Sequence, residues 1–321
     1  MPWVVGIDEA GYGPNLGPLV QAAVALHLPD DDPAGWETLK PVVRRCHEKD
    51  DGRLLIDDSK KVYTRHGLEA LELGVLSTLG LVPKPLHSFL NHAAQPTSVD
   101  DLRAEVWFEP EEPLPLLIDA AAMEGGVGKW FRTTELLQSN TWHGTAHLVP
   151  AGRFNRVVDG SGSKATVLSL GLVTLMQAMH SLGRVGVPCH PDDPLVVHCD
   201  KQGGRNFYAA MVQQAFPDGW VVCEKESAAE SRYRVERLDR PVTVTFKPRA
   251  DAESVAVALA SMLCKYLREV CMRQFNRFWA KHVPGIEPTA GYPVDAKRFY
   301  DQIRPAMEKL GLTPDQVWRK K

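Results

Sequence analysis

Three apolar runs in this sequence meet carboxylates. Trp3-Val4-Val5-Gly6-Ile7 runs into Asp8-Glu9, Pro194-Leu195-Val196-Val197-His198-Cys199 into Asp200, and Val242-Thr243-Val244-Thr245-Phe246-Lys247 is soon followed by Asp251. Short β-branched runs of this kind read as buried strands, and ligand chemistry in open α/β sheets collects where strands end. Acids far apart in sequence are therefore placed to converge. Two carboxylates about 4 Å apart repel by roughly 4 kcal/mol at an effective dielectric near 20, so a cluster of them calls for cations. Oxygen donors suit Mg²⁺ or Mn²⁺, and a pair of such ions can bridge a phosphate and its attacking water, which points to phosphodiester hydrolysis. The competing role for a strand-end Asp is that of turn former or helix cap. Geometry adds a condition: neighbouring strand residues face opposite ways, so Asp8 and Glu9 share a site only if the chain is already turning at Glu9. Gly11 and Gly13 permit such a turn.

The elements that must position these acids follow from the pattern. Leu19 to Leu28 reads as a second strand, and the short Gly17-Pro18 turn before it predicts an antiparallel hairpin with the first. Thr64 is a candidate N-cap for a helix over His66 to Leu79. Apolar spacing predicts further helices over Ser163 to Leu182, Asn206 to Phe216 and Glu253 to Phe278, with candidate strands at Trp220 to Lys225 and Val242 to Lys247. Strands separated by helices and opened by a hairpin predict an α/β fold, a mixed sheet between helices. Residues 86–140 differ in character, with Asp100, Asp101, Glu105, Glu109, Glu111 and Glu112 followed by Gly125-Gly126-Val127-Gly128. They read as an inserted lobe, a lid or partner platform with a glycine hinge, set into a main domain made of 1–85 and 141–321.

Composition narrows the classes. With 321 residues, 44% hydrophobic and 24% charged, the chain is no collagen, coiled coil or disordered segment. A formal charge of −3 supplies no general polyanion-binding surface, so any nucleic-acid contact rests on local Arg and Lys clusters. Six cysteines without a C-x-x-C pair read as reduced thiols. No apolar run is long enough to cross a bilayer and no leader opens the chain, so a soluble cytoplasmic protein without membrane contact is expected.

The motifs resemble those of the ribonuclease HII family. Gly6-Ile7-Asp8-Glu9-Ala10-Gly11-Tyr12-Gly13-Pro14 with Gly17-Pro18 is similar to that family's opening G-x-D-E-A-G-R-G-P and G-P. Asp58-Ser59-Lys60-Lys61 matches its D-S-K-K element, Val196 to Asp200 its third acidic strand end, and Arg249-Ala250-Asp251 through Lys265 its fourth acidic segment. Ala290-Gly291-Tyr292 resembles its K-G-Y. The resemblance implies a ribonuclease H-like mixed sheet and two-metal cleavage of RNA in an RNA–DNA hybrid, or at a ribonucleotide embedded in duplex DNA. It implies Asp8, Glu9, Asp200 and Asp251 as catalytic metal ligands for Mg²⁺ or Mn²⁺. Gly11, Tyr12, Gly13, Lys60, Lys61 and Tyr292 would contact substrate, with Ser59 and Lys265 in support. Four departures bear on substrate choice: Tyr12 replaces the loop arginine, Ala290 replaces a lysine, Leu267-Arg268-Glu269 stands where the family has T-R-D, and roughly 55 extra residues precede Thr141.

Other candidates are weaker. His143 and His147 have H-x-x-x-H spacing, but the glutamate of H-E-x-x-H is missing and Gly144-Thr145 favours a strand or loop, so no zinc site is expected. His190 and His198 read as structural. Arg153, Arg156, Lys164, Lys201, Arg205, Arg249 and Arg319-Lys320-Lys321 are candidate phosphate contacts, though each alone is an ordinary surface charge. The alternatives to a hybrid-cutting nuclease are a repurposed, non-catalytic nucleic-acid-binding relative with a protein partner on the inserted lobe, and a ribonuclease H-like nuclease with another substrate.

Overall fold

The computed structural model describes residues 1–80, 84–137, 142–181 and 192–320. Cys189, His190 and Lys321 lie outside them, as do the ends of the proposed insertion at 140 and 141. The N-terminal run forms β1 (Trp3–Ala10) and pairs antiparallel with β2 (Leu19–His27), the predicted hairpin. The sheet continues with β3 (Trp142–Val149), β4 (Leu195–Asp200), β5 (Trp220–Glu226), β6 (Ser231–Glu236) and β7 (Val242–Lys247). Their order is β3-β2-β1-β4-β7-β6-β5, seven strands with a parallel centre, β1-β4-β7, between antiparallel wings. His143 and His147 lie on β3, a strand as expected, where one-face helical geometry does not arise.

Helices cover the sheet and make it the mixed α/β fold that the pattern predicts. After a short helical turn at Trp36–Leu39, they are in chain order α1 (Ser59–Leu79), α2 (Leu86–Ala93), α3 (Pro96–Arg103), α4 (Ala120–Leu137), α5 (Ala151–Ser161), α6 (Lys164–His180) and α7 (Ala209–Ala215). A short turn, α8 (Ala250–Glu253), then precedes α9 (Val255–His282), and α10 (Pro293–Lys309) and α11 (Pro314–Val317) close the chain. Alternation along β1 divides the core, since Trp3, Val5 and Ile7 pack with Leu175 and Met176 of α6 while Val4 packs with Leu259 and Leu263 of α9. Gly6 is the point of closest approach: a Cβ there would fall 2.1 Å from the backbone of Ala256 and Val257, so the first turn of α9 lies directly on β1. No described helix is long and apolar enough to cross a membrane.

Two boundaries correct the sequence reading. The helix predicted over His66 to Leu79 is preceded by a turn that begins at Ser59 and joins it across a kink at Gly67, and its cap is Asp58 rather than Thr64, because the Asp58 carboxylate accepts the Lys60 N–H at 2.8 Å. The glycine run 125–128 lies within α4 and is no hinge. Gly126 instead lets α4 close on α1, since a Cβ there would fall 2.0 Å from Ser77 Oγ.

Residues 86–137 join the main core. Leu86, Phe89, Leu90, Val99, Leu102 and Ile118 belong to the same buried cluster as Val4, Leu259 and Phe275. Glu72 of α1 fastens the segment, accepting the N–H groups of Leu116, Leu117 and Ile118 at 2.6, 2.7 and 3.1 Å and the Tyr266 hydroxyl at 2.9 Å. Glu72→Gln puts an NH₂ group where a carboxylate oxygen accepted, and is expected to cost about 2 kcal/mol in denaturant unfolding. A loss below about 0.5 kcal/mol would show that the segment is held by apolar packing alone.

Candidate active site: an acidic cleft at the strand ends

The parallel pairing of β1 with β4 ends at Ile7 and Cys199, whereas β1 continues beside β2 to Ala10. The expected turn at Glu9 is thus corrected: the strand register holds through both acids. They share a site because the edge of β1 opens where β4 stops, and there Glu9 N–H donates to Asp8 Oδ1 at 2.7 Å. That bond draws the Asp8 carboxylate round toward its neighbour. Asp200 ends β4 and accepts the Ala250 N–H at 3.2 Å, which ties α8, the turn that carries Asp251, to the same strand end. Arg249 enters α8 with φ 59°, the left-handed conformation that bends the chain back toward the cleft.

A cleft of about 240 Å³ results, lined by Asp8, Glu9, the loop Ala10 to Pro14, Asp58, Ser59, Lys60, Asp200, Asp251, Ser261, Lys265, Arg268 and Tyr292. A larger cavity of about 470 Å³ lies by His198, Thr245 and Ser254, but its Lys247 and Glu253 are already paired at 3.0 Å. Size therefore does not choose the site; the concentration of like charge does. Burial first, and then the charges of Glu9 and Asp200, hold the Asp8 carboxyl well above the usual carboxylate range, against hydrogen bonds from Ser261 and the Glu9 N–H. Glu9 is pushed up to about 7 by burial and by Asp200, opposed by Lys60. Burial, Asp58 and Asp200 raise Asp251. Each of these acids feels at least one other.

The remaining predicted residues divide. Lys60 lines the cleft at the start of α1, whereas Lys61 pairs with Asp57 and Asp58 at 3.7 and 4.0 Å and does not line it. Ser59 is buried and shares a hydrogen bond of 2.9 Å with the Ser261 hydroxyl, so it supports a neighbour of Asp8. Lys265 lies over the Tyr63 ring and pairs with Glu269 at 2.5 Å. Tyr292 is 52% exposed at the rim. Gly11 takes φ 85°, and a Cβ there would meet Arg268 and the Pro18 carbonyl within 3 Å, while Gly13 has open space around it. Tyr12 packs beside Val149 and Phe154 under the ammonium of Lys164.

Four residues at this site have roles that the sequence did not assign to them. Asp58 adds a fifth carboxylate and Ser261 a hydroxyl beside Asp8. Arg268 is buried and donates to the carbonyls of Leu16, Pro18 and Ala290, joining the loop after β1 to the segment before Tyr292. Arg319, expected as a surface charge, is 1% exposed; it lies over Phe154 and donates to the carbonyls of Gly11 and Pro14. The D-S-K-K motif was a signal for Asp58, and buried charge near the C-terminus had none. Arg319→Ala leaves those carbonyls without their donor and is expected to loosen the 11–14 loop, raising its amide exchange at least about tenfold, as loss of roughly 1.4 kcal/mol would. Unchanged exchange would assign Arg319 to packing only.

The donor set is made of carboxylate oxygens, the kind that Mg²⁺ and Mn²⁺ take, and a divalent cation would relieve the upward pressure on Asp8, Glu9 and Asp251. In kind the residues fit such an ion. Among the described residues, no three His, Cys, Asp or Glu side chains form a group that could hold one as they stand.

Fold and site together define a class: a mixed α/β protein with a carboxylate cleft at the ends of its parallel strands. No family model matches the chain, and no curated protein does. Among solved structures it is similar to the ribonuclease HII of Archaeoglobus fulgidus, solved as a complex with PCNA, at 13% identity and a TM-score of 0.42 over 99% of this chain and 94% of that one. It is similar also to ribonuclease H2 of Pyrococcus horikoshii OT3, at 13% identity and 0.44 over 98% and 92%. A third is Bst-RNase HIII in complex with Mn²⁺, at 14% identity and 0.42 over 99% and 66%. At these identities the functional reading has to come from the residues of the cleft.

Proposed function

We propose that this protein is a metal-dependent endoribonuclease that hydrolyses the RNA strand of RNA–DNA hybrids, or ribonucleotides embedded in duplex DNA. The observation behind this reading is the meeting of Asp8, Glu9, Asp200 and Asp251 in one cleft with Lys60 and the glycine loop. Negative charge concentrated where a phosphodiester must bind serves binding only with cations between them. Asp8, Glu9, Asp200 and Asp251 would hold Mg²⁺ or Mn²⁺, which supplies charge neutralisation and an acidified water for two-metal hydrolysis.

The chain's own groups do the rest. Lys60 offers its ammonium to a phosphate oxygen, and its charge already lowers the cost of ionising Glu9. Ser261, set by Ser59, fixes the Asp8 carboxylate. The 11–13 backbone, held from behind by Arg319 and Arg268, faces the ribose, whose 2′-hydroxyl separates RNA from DNA. Tyr292 gives an exposed ring for stacking on a sugar or base.

Matched duplexes with no ribonucleotide, one ribonucleotide and a full RNA strand, incubated with Mg²⁺ or Mn²⁺, test the reading. Cleavage confined to ribonucleotide-containing strands is expected; cutting of the all-DNA duplex would make it a nuclease of other specificity. The same assay separates the second reading, a relative that binds without cutting. Tight binding of all three duplexes with no product would establish it.

A further inference from the structure

Most cations near the cleft are committed elsewhere. Arg153 and Arg156 reach Asp101 at 3.8 and 3.2 Å, Lys320 reaches Asp159 and Asp315, and Lys201 donates to Asn206 and to the Ser227 carbonyl. Arg319 is buried. Lys164 and Arg205 are different. Among the described residues neither forms an ion pair; each is laid over an aromatic ring. The Lys164 ammonium lies 4.6 Å from the centre of the Tyr12 ring. The Arg205 guanidinium lies 5.8 Å from that of Tyr208 and donates to Ser169 Oγ of α6 at 3.0 Å.

Three details make this a built feature. Tyr12 belongs to the cleft wall, so Lys164 stands at the edge of the cleft itself. Lys164 is the first residue of α6, and no acid occupies that helix's first turn. A cation at a helix N-terminus opposes the helix dipole by about 0.3–1 kcal/mol, and here a cation–π contact rather than a carboxylate offsets it. Arg205 follows β4 by five residues and is fastened to the same helix through Ser169, so it does not swing free, and its charge reaches the hydroxyl of the same Tyr12 that Lys164 overlies. Two cations without ion-pair partners among the described residues, both acting on ring residues near the acidic cleft, give it a positive edge to which a phosphate oxygen is complementary.

We infer that Lys164, Tyr12 and Arg205 form a docking ledge for a backbone phosphodiester of the nucleic acid, beside the residue held in the cleft. The inference rests on the reading of the cleft as a nucleic-acid site and adds the surface that carries the flanking strand. The Tyr12 ring holds the ammonium in place by cation–π attraction without neutralising it, and the guanidinium supplies fork-shaped donors for phosphate oxygens. Such contacts touch no base and no 2′-hydroxyl. They serve RNA and DNA strands equally, leaving discrimination of the sugar to the cleft.

Anisotropy of a labelled RNA–DNA hybrid and of an all-DNA duplex, titrated across a salt series, tests the ledge. Each phosphate contact contributes about −0.9 to the slope of log K against log salt. Lys164→Gln and Arg205→Gln are each expected to flatten the slope by about one, and the double variant by about two, on both duplexes. Lys164→Arg should restore the slope. Lys281→Gln, remote and paired with Glu109, should leave it unchanged. A double variant with the wild-type slope would overturn the ledge while the proposed function stands. A wild-type protein that neither binds nor cuts any duplex would overturn both.

Discussion

Asp8→Asn is expected to lower cleavage at saturating Mg²⁺ by about three orders of magnitude, the equivalent of roughly 4 kcal/mol of transition-state stabilisation. The same change should raise the melting temperature of the metal-free protein. Burial and the charges of Glu9 and Asp200 disfavour ionised Asp8, and an amide of the same shape carries no charge to disfavour. Asp200→Asn should act likewise, because it removes the charge that Glu9 and Asp251 both feel. Opposite signs for activity and stability distinguish a ligand of the reacting centre from a residue that merely holds the fold. Turnover within a factor of two of wild type in either variant would remove that residue from the site.

Metal-free stability should fall as pH rises from about 5 to about 7.5. Glu9 holds its proton near 7 in the folded protein against an ordinary value of 4.5. A raised carboxyl contributes stability in full below the unfolded value and loses it as pH passes through the folded one, here about 3 kcal/mol in all. Asp8, also raised, adds to the loss in the same direction. Glu105, at about 7 through burial, has the same sign and window but lies outside the cleft lining. Glu9→Gln separates the two, since the Glu105 slope persists without Glu9. Because carboxylates must shed protons to bind a cation, Mg²⁺ or Mn²⁺ should protect the wild type more as pH rises, and the gain should shrink in Glu9→Gln. Melting curves with and without metal at each pH read this directly. Metal protection that is equal at pH 5 and pH 7.5 would place the cation away from Glu9.

Several parts of this protein rest on local pattern alone. The β1–β2 hairpin, the strand ending on Asp200 and the long amphipathic α9 are written in periodicity and turn residues, each within a dozen or so neighbours. The acids were legible for the same reason, since a carboxylate closing an apolar run is a local signal. Other features are relations across the chain, which no local pattern carries. Asp8 and Glu9 share a cleft because β4 stops short of them, a fact about a partner strand and not about residues 8 and 9. Ser261 reaches the β1 acids from α9 because Gly6 lets that helix lie on the strand. Residues 86–137, acidic and glycine-bearing in sequence, join the core through Glu72 and Tyr266. Arg319 reads as a tail charge until it is found 308 positions from the Gly11 carbonyl it binds. Periodicity reports which face of an element is buried; what it is buried against depends on packing between distant segments, and that is set only when the whole chain closes its core.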